Sequence, residues 1–184
     1  MDPFASGLPT LDAERLRLRR PTEADLPAFL QVFGSREDLQ FWSHGPLADE
    51  AAAREYLDSI QEGVRDRTLF QWAIADAETD RMMGTCTLTS WDKDNRHAGI
   101  GFILAREFWG RGLATEAVRR VLRFGFEEMD LHRVEADVHP GNAASLALLE
   151  KVGFQREGYF RERWFTFEVW EDSVILGLLR SDFD

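Results

Sequence analysis

The chain has 184 residues, a formal net charge of −11 and one cysteine, Cys86. So acidic a chain argues against nucleic-acid binding, which needs a basic face. A lone cysteine forms no internal disulfide and fits a reducing, cytoplasmic location. The longest apolar runs, such as 174–179, fall far short of the ~20 residues that span a bilayer, so no membrane partner is expected. The first residues lack a basic stretch followed by an apolar one, so no secretory signal is expected. With 44% apolar residues, a chain of this length can bury a substantial core as one domain.

Residues 1–12, with Pro3, Gly7 and Pro9, read as a loose leader before a single domain over 13–184. Arg15 to Arg19 alternates apolar and basic residues, the pattern of a half-buried strand. Thr22, with Asp25 three positions on, predicts a helix start, and the helix is expected to run to Phe33 before Gly34-Ser35. A second helix is predicted from Asp49 to Arg65. Strand-like runs follow at 69–75, 82–91 and 97–104, separated by Asp-rich turns.

The pattern then changes. From Gly112 to Met129, Leu113, Ala117, Val118, Val121, Leu122, Gly125 and Phe126 share one helical face, with charged residues opposite. His132 to Val138 alternates again. Asn142 to Val152 predicts a short helix closed by Gly153, and two further strands fit 155–164 and 169–179. This order predicts an α/β fold, a single domain around a mixed, mostly antiparallel sheet flanked by helices. The strand–helix–strand stretch from His97 to Val138 implies a right-handed crossover and one parallel pair.

The junction after Leu104 is the most informative place in the chain. A strand ends, Gly110-Arg111-Gly112 forms a short loop, and a long helix begins. Glycines allow positive φ and close approach of a ligand to the backbone. The first helical N–H groups lack internal partners and sit at the positive end of the helix dipole, so the place suits a phosphate. An ordinary tight turn remains the plain alternative. No P-loop run exists, and a dinucleotide fingerprint counted from Gly110 would need Gly or Ala where Thr115 stands.

Phe108 to Ala117 resembles the acetyl-CoA loop of the GNAT acetyltransferase superfamily. Asn142-Ala143-Ala144-Ser145 and Glu150-Lys151-Val152-Gly153-Phe154 continue the likeness, and the set resembles the ribosomal-protein alanine N-acetyltransferase (Rim-type) branch. The resemblance implies that the parallel pair splays apart into a V-shaped cleft. It implies a pantetheine arm paired with backbone at Phe102, Ile103 and Leu104. It also implies a pyrophosphate on the N–H groups of Arg111, Gly112, Leu113, Ala114 and Thr115, with Asn142 contacting the arm. Acetyl-CoA is then the cosubstrate, no metal is needed, and the partner is an amine: a peptide N-terminus, or a polyamine or amino sugar. A homodimer stays open.

The chain departs from the family at three positions. Trp109 stands where many members carry Gln or Arg. Leu149 replaces a tyrosine acid, and Gly99 replaces a glutamate base. Ser145, one helical turn before Leu149, becomes the expected acid, although a serine there also suits bonding to the preceding turn. Glu162, in Arg161-Glu162-Arg163-Trp164, becomes the expected base ahead of His97 and His139. Without the two usual residues, an inactive acetyl-CoA sensor is the competing class. Cys86, with no histidine beside it in sequence, reads as packing. Phe41, Trp42 and His44 are expected to face the acceptor, and Lys151 to be a solvated helix-end lysine.

Overall fold

A computed structural model of the protein describes residues 3–42 and 45–183. The alternation near the start is realised in strand β2 (Leu16–Arg19), where Leu16 and Leu18 are fully buried, while Arg17 and Arg19 reach Asp12 and Asp80. Thr22 does open a helical segment, since Asp25 accepts its backbone N–H at 2.8 Å. Its first turn, Glu23–Asp25, is a 3₁₀ turn, and helix α1 begins only at Leu26 and ends at Phe33. Pro27 explains this difference: it has no N–H to bond back to Glu23, so an α-helix cannot start three residues earlier.

Helix α2 (Glu50–Asp66) starts where Asp49 accepts the N–H of Ala52 at 2.9 Å, a side-chain cap. Strands β3 (Leu69–Asp76), β4 (Met82–Asp92) and β5 (His97–Leu104) form an antiparallel meander. Helix α3 (Leu113–Glu127) buries the apolar face read from the sequence. It crosses to strand β6 (Arg133–Val138), which pairs parallel with β5. Helix α4 (Ala143–Val152) ends at Gly153, whose φ of 117° is the left-handed conformation that closes the helix. A hairpin of β7 (Gln155–Thr166) and β8 (Val169–Leu179) completes the eight-stranded sheet, ordered β1-β2-β3-β4-β5-β6-β8-β7.

Residues 3–12, the described part of the segment read as a loose leader, pack against the domain. Leu11–Asp12 is strand β1, paired with β2. Phe4 is 1% exposed and stacks on Phe70 with ring centroids 3.9 Å apart, and Trp72 Nε1 donates to the carbonyl of Pro9 at 2.8 Å. One aromatic anchor outweighs the proline and glycine signals: burying a phenylalanine contributes ~2 kcal/mol. Phe4→Ala should therefore lower stability by about 3 kcal/mol, read as a shift in urea midpoint at unchanged m-value. An unchanged midpoint would mean that the segment is unpacked in solution.

Candidate active site

Strands β5 and β6 pair over three residues only: His97 with Arg133, Ala98 with Val134 and Gly99 with Glu135. Beyond them β5 continues on β4 up to the Gly84–Leu104 pair, while β6 continues on β8 up to the Val138–Val174 pair. The two strands thus part after Gly99, and the facing edge of β5 is left without a backbone partner. The gap is a cleft of about 790 Å³ lined by both strand ends and by the starts of α3 and α4.

The floor of this cleft is made of backbone. Gly110 and Gly112 have φ of 72° and 76°, and no side chain caps the start of α3. Gly112, Leu113, Ala114 and Thr115 all line the cleft, so the free N–H groups of the first helical turn open onto it. Arg15 straps the loop from outside. Its backbone N–H and Nε donate to the Glu116 carboxylate at 2.7 and 2.8 Å, and its Nη1 donates to the carbonyl of Arg111 at 3.0 Å. From the sequence Arg15 is only the polar side of a strand; no local signal reveals this contact with a residue 101 positions away. Trp109 donates its indole N–H to the carbonyl of Leu104 at 2.7 Å. It caps the cleft edge of β5 at its end.

These features decide the family. Residues 15–155 match the acetyltransferase (GNAT) domain family. An uncharacterised N-acetyltransferase of Bacillus licheniformis is 35% identical over 153 residues, covering 83% of this chain and 86% of its own. The chain belongs to the GNAT acetyltransferase family. The alanine N-acetyltransferase of ribosomal protein uS5 from Escherichia coli is 24% identical over 188 residues, covering 97% of this chain and 96% of its own. The solved spermidine N-acetyltransferase of Vibrio cholerae, in complex with CoA and spermine, superposes with a TM-score of 0.80 at 24% identity, covering 91% of this chain and 97% of that one.

In this N-acetyltransferase, Phe102, Ile103, Leu104, Gly112, Leu113, Ala114, Thr115, Asn142 and Ser145 all line the cleft. Asn142 caps α4, its Oδ1 accepting the N–H of Ser145 at 3.1 Å. Arg111 does not line the cleft; its guanidinium lies over the ring of Phe108 at 5.8 Å. Glu162 does not line it either. A register shift between Phe160 and Trp164 interrupts β7, and Glu162 sits inside that bulge at φ 51°, exposed, with its N–H given to Asp172. A bulge re-aims a strand residue, which removes Glu162 from the place that the sequence assigns to a base. Lys151 is exposed and outside the lining residues.

Other expectations resolve in the same way. Gly99 offers no side chain, and a Cβ there would lie 2.9 Å from Thr89 Oγ1, so any larger residue would require Thr89 to shift. Leu149 is fully buried. His97 Nε2 lies 3.1 Å from Glu135, which Arg133 also holds. Phe41 and Trp42 line the cleft, and His44 lies outside the described residues.

Cys86 is fully buried in β4, and burial pushes its thiol up to about 12, although the N–H of Thr87 lowers it. A thiol held neutral is no nucleophile at physiological pH. The folded protein at pH 8 should accordingly leave Cys86 unlabelled by a thiol-specific disulfide reagent over hours and release one equivalent only on denaturation. Rapid labelling of the native protein would contradict the buried placement.

Proposed function

We propose that this N-acetyltransferase moves the acetyl group of acetyl-CoA directly to an amine held in the upper part of the cleft. One observation carries the proposal: the uncapped first turn of α3 and the unpaired edge of β5 open into the same cleft. The glycine loop suits a pyrophosphate and the strand edge suits an amide-bearing arm, the two chemical parts of coenzyme A. Phe102, Ile103 and Leu104 would hold the arm, and the N–H groups from Arg111 to Thr115 the phosphates. Asn142 would meet the arm through its free amide N–H₂.

The chain's own contribution to transfer is modest. Positioning a neutral amine against the thioester supplies several kcal/mol. Leu104 directs its carbonyl to the cleft edge, where Trp109 meets it, and its N–H lies on that same edge, available to a developing oxyanion. Ser145, on the cleft-lining first turn of α4, is the proton donor for the leaving thiolate.

The acceptor is a peptide α-amine. The support is the uS5 alanine N-acetyltransferase, similar along nearly its full length. A small polycation is the second reading. Asp38, Asp137, Glu171 and Asp172 line the cleft, no lysine or arginine does, and the Vibrio cholerae enzyme acts on spermidine.

Calorimetry should record binding of acetyl-CoA and CoA and none comparable for NAD or ATP; a preference for NAD would end the proposal. A side chain on Gly112 is strained at φ 76°, and relieving that strain reshapes the loop whose backbone N–H groups would meet the phosphates. Gly112→Val should thus weaken acetyl-CoA binding at least tenfold, about 1.4 kcal/mol, in a protein that still folds by circular dichroism. Unchanged affinity would reduce the loop to a turn.

Thiol release on adding amines separates an enzyme from a sensor. Ser145→Ala should lower kcat about tenfold to a hundredfold, with acetyl-CoA affinity unchanged. The deficit should shrink when the donor is a thioester of a more acidic thiol. Equal loss with both donors would make Ser145 a positioning group, and no loss would leave the proton to water.

A further inference from the structure

With Glu162 outside the lining residues and Gly99 carrying no side chain, the group that meets the amine is sought among the side chains lining the cleft. Four carboxylates are there, and three are engaged by several donors or stand near a cation. Asp137 accepts from Trp164 Nε1 at 3.1 Å and from the hydroxyl of Ser173. Asp172 accepts from the hydroxyl of Tyr159 at 2.5 Å and from the N–H of Glu162 at 2.8 Å, which hold its carboxyl below the usual range. Arg106 Nε stands 3.7 Å from Asp38. Glu171 differs. Among the described residues its hydrogen-bond partner is His139 alone, with Nε2 2.8 Å from Oε2, which leaves Oε1 for another donor.

That histidine is fixed on three sides. The N–H of Gly141 donates to its Nδ1 at 2.9 Å, so Nδ1 is an acceptor and the ring proton sits on Nε2, pointing at Glu171. Phe41 stacks on the ring, with centroids 4.9 Å apart at 25°. His139 directly follows the last residue of β6, and Glu171 sits on β8 opposite Trp164 of β7. The pair therefore stands at the splayed end of the strands, and both residues line the cleft.

We infer that Glu171 is the group that binds the acceptor's ammonium and takes its first proton, and that His139 is the positioning residue that aims this carboxylate. The inference rests on the acetyl transfer proposed above and names the amine-binding group of that same site. The ammonium gives one proton to Oε1 of Glu171, which passes it to water. The nitrogen lone pair then forms the N–C bond at the thioester carbon. As the C–S bond breaks, the sulfur leaves with its electron pair and takes the hydroxyl proton of Ser145, which the second proton lost by nitrogen replaces. The products are an amide, a free thiol and one proton released to solvent. His139 has both ring nitrogens in hydrogen bonds, and its part is to hold the carboxylate in place.

The experiment measures steady-state kinetics by thiol release with two probes, a short peptide with a free N-terminal alanine and spermidine. Glu171→Gln keeps the shape and removes the charge. It should raise the KM of the amine roughly tenfold to a hundredfold, the loss of one charge-assisted hydrogen bond, and lower kcat. The KM of acetyl-CoA should stay within about twofold. His139→Gln should move the same constants in the same direction by less. A change confined to acetyl-CoA, or shared equally by both substrates, would make the pair structural and overturn the inference. So would a Glu171→Gln enzyme with wild-type constants, while leaving the proposed transfer standing. A wild-type protein that binds acetyl-CoA but acetylates neither probe would end the proposed transfer, and this inference with it.

Discussion

The site depends on how briefly β5 and β6 stay together. Three residue pairs join them, whereas β5 follows β4 for its full length and β6 follows β8 for all six of its residues. Each strand is committed to its antiparallel neighbour, so the sheet behaves as two halves held by a short parallel seam. Where the seam opens, backbone groups of β5 lose their partner, and buried backbone groups require one. The crossover helix α3 begins beside the same opening, as does α4. Ligands in open α/β sheets bind where neighbouring strands part at their carboxyl ends, and the family's shared cleft is an instance of that rule.

Around this opening the protein relies on backbone more than on side chains. The cleft carries no lysine or arginine, although the proposed cosubstrate is anionic. Helix-start N–H groups and glycines take the role of cations at one end. Arg15, whose guanidinium lies beside Gly112, is spent on Glu116 and on the carbonyl of Arg111, where it fixes the shape of the loop. An exposed ion pair contributes little stability in isolation. Here three bonds converge on one loop, and their effect is geometric.

The same economy governs the acceptor end. A carboxylate beside a cationic amine improves capture, and the overall charge of −11 adds a long-range pull on cations. Two of the four cleft carboxylates, Asp137 and Asp172, are already tied to tryptophan, serine or tyrosine donors, which hold the walls in place. The aromatic residues Phe41, Trp42 and Trp164 narrow the space between them.

The sequence by itself determined nearly all the elements, the parallel crossover and the glycine loop before α3. Strands β2 and β6 and the buried face of α3 follow from periods of two and 3.6 residues, the repeats of a half-buried strand and an amphipathic helix. Gly110 and Gly112 are legible because only glycine takes positive φ without strain. Tertiary structure alone decided the rest. Phe4 lies in a segment too short for a period, and its burial depends on Phe70, 66 positions away. The bulge that turns Glu162 outward depends on the register of β7 against β8, which alternation does not encode. The His139–Glu171 pair spans 32 residues and exists because two strands end side by side. Local patterns specify elements through short-range geometry, whereas a site assembled from several strand ends is specified only by how those strands pair.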